Sequence, residues 1–262
     1  MTEDLPPAPP EQPPPEFPSF EPRSAGPDRY PFWTYADVLI FAGLAIPSMF
    51  VGVLIVRGVM LLLRIRTKLA LAESLPAEFL GYGVLFGALC LIFRMHYGRP
   101  FWRSLAWIDP PIPALRIVTS GLLTAFGVVF MSAFLRTPDT KNPMTDLLQD
   151  PRSMIPIAII GVTLGPLCEE LAFRGLLQPL LVRSFGAVAG ILGAAIPFGL
   201  LHLQEYAYSW RHGVLITLAG ASFGWMRHIT GSTKAAVIMH AAYNALFFLV
   251  LFAQRKDLPH AW

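Results

Sequence analysis

Apolar runs alternate with short charged interruptions along most of this chain. The runs are too long for strands or for the helices of an ordinary soluble core. They fall at about Ala36–Leu63, Glu78–Phe93 and Ile112–Leu135, and then from Met154 through Gly161, Gly165 and Pro166 into a charged cluster at Glu169–Arg174. Three more follow at about Phe185–Leu203, Val214–Met226 and Ala235–Phe252. A helix that crosses a bilayer needs about 20 mostly apolar residues, and only helices or closed barrels satisfy their backbone there. The pattern therefore predicts an all-α, polytopic transmembrane helix bundle of about seven spans, within a range of six to eight. Arg57 interrupts the first run, and a long side chain near a helix end reaches the headgroups. The aromatic and basic stretch from Tyr97 to Trp107 reads as an interfacial loop.

The ends of the chain read differently. Residues 1–31 hold 11 of the 25 prolines, interleaved with Glu, Asp and Ser. Such a segment has too little apolar surface to fold, so residues 1–34 are expected to form a disordered Pro-rich tail. It lacks the basic-then-apolar order of a signal peptide. The transmembrane helical domain is expected at 35–252 and a polar C-terminal tail at 253–262.

Composition sharpens this picture. Hydrophobic residues make up 54% and charged residues 14%, against roughly a quarter charged in soluble domains. The net charge of +3 is mild, and no basic cluster interleaved with aromatics points to nucleic acid. Two cysteines, Cys90 and Cys168, sit far apart in apolar runs, which suits small buried side chains rather than a disulfide framework. Counted on alternate sides of the spans, the basic residues tie at nine against nine, so the positive-inside rule assigns no orientation.

Three apolar segments in the C-terminal half carry groups that lipid excludes. Glu169, Glu170 and Arg174 follow the uncharged run Ile155–Leu167. Carboxylates at such depth face a bundle interior or a water cavity. Four residues apart on a helix, Glu170 and Arg174 can form an ion pair, while Glu169 is rotated by roughly 100° and points elsewhere. One carboxylate is then tied structurally and the other is free to react. Pro166 removes a backbone N–H one turn earlier and loosens the helix there. The second segment ends in His202, four residues after Phe198, with Glu205 close behind either as its partner or as a headgroup marker. In the third, His240 and Asn244 share one helix face, suited equally to interhelical hydrogen bonding and to an active site. Together, a carboxylate, two imidazoles and an amide match what hydrolysis of an amide by water requires. A carboxylate and an imidazole activate the water, and N–H donors hold the oxyanion.

At these positions the chain resembles the CPBP family of intramembrane proteases, which includes type II CAAX prenyl endopeptidases and bacterial relatives. The resemblance rests on Glu169-Glu170-x-x-x-Arg174, Phe198-x-x-x-His202 and His240-x-x-x-Asn244, complete and in order. It implies a catalytic core at about 97–252, within a helical membrane fold around a water-filled cavity. It further implies an endopeptidase in which Glu169 and His202 activate water and His240 and Asn244 hold the oxyanion. Glu170, Arg174 and Phe198 would support the site. Members are often called metalloproteases, and a zinc ion would take Glu169, His202 and His240. The chain lacks the His-Glu-x-x-His helix of common zinc proteases, which favours a metal-free general base. The expected partners are a peptide or membrane-protein substrate and the lipid bilayer, with no nucleic acid. The short chain and its Pro-rich front resemble a bacterial member in the inner (plasma) membrane. The alternatives are a non-catalytic scaffold or bacteriocin-immunity factor of the same fold, a proton-coupled transporter, and a nucleophile at Cys168.

Overall fold

The computed structural model of the protein describes residues 30–66, 71–138 and 151–254. The Pro-rich stretch 1–29, most of the polar connection after the third span and nearly all of the C-terminal tail lie outside the described residues. From Pro31 onward the chain forms one compact unit.

Every regular element among the described residues is helical. Helix α1 is Tyr35–Leu62, α2 Leu71–Tyr97, the short α3 Phe101–Ser104 and α4 Ala114–Leu135. The next body is irregular: α5 Pro151–Val162, α6 Leu164–Glu170, a π-helix Leu171–Leu177 and α7 Gln178–Phe185. Helix α8 Ala187–Leu201, a 3-10 turn Leu203–Tyr206, α9 Trp210–Thr230 and α10 Thr233–Gln254 complete the fold. Among the described residues, five bodies are long and apolar enough to cross a membrane: α1, α2, α4, the composite body Ser153–Phe185 and α10. Of the seven runs read in the sequence, the remaining two are α8, which is apolar but only 15 residues long, and α9, which is 21 residues long and less apolar. The outward faces suit lipid, with Ile46, Phe50 and Leu61 on α1 and Leu115, Phe130 and Phe134 on α4 all exposed.

Without a hydrophobic drive between helices in lipid, close packing depends on small residues. Helix α1 lies on α2, where Gly52 approaches so near that a Cβ there would come within 2.1 Å of the Ala77 carbonyl oxygen. Helix α4 packs on α10 at Gly121, and α8 lies between α7 and α9. The small residues in Gly186–Ala195 and Ala219–Gly224 serve the same purpose: a Cβ on Gly190 would meet the backbone of Val182 at 2.4 Å. The start of α1 is fixed to the end of α2 through the buried Asp37. Its carboxylate accepts from the Thr34 N–H, the Thr34 hydroxyl and the Tyr97 hydroxyl at 2.7 to 2.9 Å.

The composite body 151–185 is where the backbone departs from regular helix. Helix α5 ends at Val162, and Thr163 adopts φ −120°, ψ −78° before α6 begins. Pro166 contributes by withholding the N–H that the Val162 carbonyl would otherwise receive. The π-helix then starts immediately after Glu170. Irregular backbone at membrane depth persists only where neighbours satisfy it. Here they do: the Asn244 side-chain amide donates to the Gly161 carbonyl at 2.7 Å, beside the break. At the other end of the body, the indole N–H of Trp33 donates to the Leu176 carbonyl at 3.0 Å.

Candidate active site

The polar residues meet where α6 and the π-helix face α8, α9 and α10. Arg174 and Glu170 are both fully buried, and an Arg174 N–H donates to Glu170 Oε1 at 3.0 Å. A second Arg174 N–H donates to the Gly220 carbonyl on α9 at 2.7 Å. Its guanidinium carbon lies 4.5 Å from the Phe198 ring centre and 5.6 Å from that of Phe223. A guanidinium is weakly hydrated and stacks on aromatic faces, which suits it to such a dry site better than an ammonium. One turn on, Gln178 repeats the contact by donating to the Gly224 carbonyl at 2.8 Å. Gly220 and Gly224 lack side chains where these two groups reach the backbone of α9.

Glu170 has a second partner. His240, on α10, donates from Nδ1 to the same Glu170 Oε1 at 2.9 Å. A carboxylate already receiving an arginine can only accept, so Nδ1 carries the proton and Nε2 is turned to the other side. There it faces Glu169 Oε2 at 3.9 Å. The Glu169 side chain keeps 28% of its surface exposed, whereas that of Glu170 keeps none. Phe223 stacks on the His240 ring at 4.4 Å between centres and holds its plane. The ion pair expected from the spacing of Glu170 and Arg174 is present, with one addition: Glu170 secures His240 as well.

His202 closes α8. Its Nδ1 donates to the Phe198 carbonyl at 2.8 Å, which leaves Nε2 free, and its ring lies 4.7 Å from that of Phe198. Phe198 therefore touches Arg174, His202 and His240. Glu205 follows in the 3-10 turn, where the charges of both His202 and Glu169 act on it. The residue is exposed as a whole, yet its carboxyl is partly shielded. Burial holds it above the usual carboxylate range, His202 opposes this, and Glu169 adds to it.

Asn244 shares a helix face with His240 as expected, but one of its amide N–H groups is committed to Gly161. Its other N–H remains for a ligand. One neighbour of the site was missed in the sequence. Glu78 on α2 accepts a hydrogen bond from Tyr82, and the charges of Glu169 and Glu205 act on it. It was legible only as the polar start of an apolar run. Cys168 is buried, and the charges acting on it are those of Glu169 and Glu78, carboxylates that do not activate a thiol.

Glu169, His202 and His240 do not gather as a ligand set. Among the described residues, no group of three or more His, Cys, Asp or Glu side chains is placed to hold a metal ion. His240 Nε2 and Glu169 Oε2 stand 3.9 Å apart as a polar pair.

Residues 151–246 match the family model described as type II CAAX prenyl endopeptidase, Rce1-like. The stretch contains all three motifs and lies inside the 97–252 assigned to the core. No curated protein and no solved structure matches the chain.

Proposed function

From the match of residues 151–246 to the model of the type II CAAX prenyl endopeptidase, Rce1-like family, we propose that this chain is an intramembrane protease that hydrolyses a peptide bond by a glutamate mechanism. Glu169 is the general base. The observation that carries this reading is the contrast between two adjacent carboxylates: Glu170 is sealed against Arg174 and His240, while Glu169 is half-buried and has Nε2 of His240 at 3.9 Å. That leaves Glu169 as the carboxylate of the motif open to a water molecule.

Glu169 takes a proton from the water, and the free Nε2 of His202 helps orient it or shares the proton. The resulting hydroxide adds to the substrate carbonyl. The protonated form of His240 donates to the oxyanion through Nε2, its ring set by the bond from Nδ1 to Glu170. The uncommitted N–H of Asn244 is the second donor. Collapse of the tetrahedral intermediate breaks the C–N bond, and the proton held at Glu169 passes to the leaving amine.

Zinc at Glu169, His202 and His240 is the second mechanistic reading. The substrate is a peptide or a membrane-protein segment that reaches the site from the bilayer, and the location is a bacterial inner membrane. The test compares wild type with Glu169→Gln, both purified in detergent, on a quenched-peptide library with and without chelator. Wild type should cleave in both conditions, and Glu169→Gln should lose about 10²–10⁴-fold, the weight of a general base. Retained cleavage by Glu169→Gln removes that role, and reversible loss with chelator transfers the chemistry to a metal. A phenotype rescued by Glu169→Gln would establish the scaffold or immunity reading instead.

A further inference from the structure

Trp33 precedes α1 and stands outside the stretch matched to the family. It is fully buried, stacks on Phe93 at 5.3 Å and packs with Leu105, Leu171, Leu176 and Leu180. A buried indole finds a partner for its N–H, but the partner here is unusual: the carbonyl of Leu176, inside a helix. In an unbroken α-helix that oxygen belongs to the N–H four residues on.

The π-helix alters that count in the same stretch. Within it each N–H reaches back five residues, as the Gln178 N–H does to the Phe173 carbonyl. When the chain returns to α-helix the reach drops to four, and across that change backbone acceptors outnumber backbone donors. Pro179, in the first turn of α7, offers no N–H to this transition. Leu176 lies one residue inside the end of the π-helix, and the indole supplies a donor there from outside.

The same segment is fastened to α7 at two further points. An Arg183 N–H donates to the Pro31 carbonyl, and the Tyr35 hydroxyl donates to Ser184 Oγ at 2.7 Å. Residues 31–35 thus run along the C-terminal half of the body that carries Glu169, Glu170 and Arg174.

We infer that Trp33 is a positioning residue for the site: its indole N–H holds the π-to-α register at Leu176, and with it the setting of the motif just upstream. Its effect on turnover rests on the proposed role of Glu169, whereas its effect on register does not. The two are therefore measured separately, on the full chain in detergent. Trp33→Phe keeps an aromatic ring without a donor. Incorporation of benzothienylalanine at position 33, with sulfur in place of the N–H, keeps the whole shape. Trp102→Phe, at a half-exposed ring away from the site, is the control.

The readouts are hydrogen exchange of amides 171–182, alkylation of the buried Cys168 in a Cys90→Ala background, and kcat and KM on a cleaved peptide. Both substitutions at 33 should raise exchange in this segment about tenfold, the order that one lost buried hydrogen bond commands. They should speed Cys168 alkylation several-fold and lower kcat about tenfold with KM nearly unchanged, while Trp102→Phe changes none of these. Exchange that stays at the wild-type rate with the sulfur analogue overturns the register claim. Raised exchange with unchanged kcat overturns the positioning claim. Exchange and alkylation need no substrate, so failure to find a cleaved peptide would count against the proposed function and not against this inference.

Discussion

Glu170 Oε1 receives both Arg174 and His240, and no part of the side chain reaches solvent. Removing its charge leaves a guanidinium in a dry pocket without its counter-ion, the situation in which a broken buried pair costs about 3–5 kcal/mol. Glu170→Gln should therefore lower the melting temperature in detergent sharply. Glu169→Gln, at a half-buried side chain with a looser contact, should stay within about 1 kcal/mol of wild type. Comparable losses for the two variants would show that the carboxylates share one structural role. Asn244→Ala tests a different contact. It strands the Gly161 carbonyl beside the helix break, at a cost of about 1–3 kcal/mol. Its melting temperature separates that cost from any loss of turnover: a variant as stable as wild type but inactive would assign Asn244 wholly to chemistry.

Helix ends were legible because a bilayer imposes length and composition so strictly: runs read at Ile112–Leu135 and Ala235–Phe252 correspond to α4 at Ala114–Leu135 and α10 at Thr233–Gln254. The ion pair Glu170–Arg174 was legible from its spacing. The π-helix was not, since a change in hydrogen-bond reach leaves no mark in hydrophobic periodicity over seven residues. Nor was the bond from His240 to Glu170, which depends on how α10 meets the π-helix. Glycines in α9 were readable as packing residues, but only the structure distinguishes their tasks. A Cβ on Gly220 would stand 2.9 Å from Arg174 Nη2 and 3.0 Å from the Phe198 ring, both held in place by their own contacts. Gly220→Ala should cost about 1–3 kcal/mol and reduce kcat, because the strain falls on Arg174. At Gly127 on α4 a Cβ would meet nothing within 4 Å, so Gly127→Ala should be neutral or stabilising by up to about 1 kcal/mol. Equal effects on melting temperature and turnover at the two sites would contradict this distinction.

For the molecule as a whole, the groups outside the membrane-crossing helices supply a pH response that can be worked out in sign. Asp109 lies on the loop before α4, where the Lys234 ammonium donates to it at 2.6 Å and holds its carboxyl below the usual range. The folded state then releases that proton more readily than the unfolded chain. Its contribution is complete above the ordinary aspartate value and is lost as pH falls through the depressed one. Glu205 runs the opposite way. Partial burial and the charge of Glu169 hold its proton in the folded state, against the pull of His202. Stability linked to Glu205 is therefore greatest below the ordinary glutamate value and declines as pH rises from there through the raised one. Together the two groups place a maximum near the ordinary carboxylate range, with slopes of different origin on either side. Melting temperatures in detergent across mildly acidic pH would check this. Glu205→Gln should flatten the decline on the higher-pH side alone, and Asp109→Asn the loss on the lower-pH side alone. Because Glu205 also feels Glu169, adding Glu205→Gln to Glu169→Gln should change the higher-pH slope by less than adding it to wild type. Additive slopes would mean that the two carboxylates act independently, and that the rim of the site is not electrostatically continuous with its base.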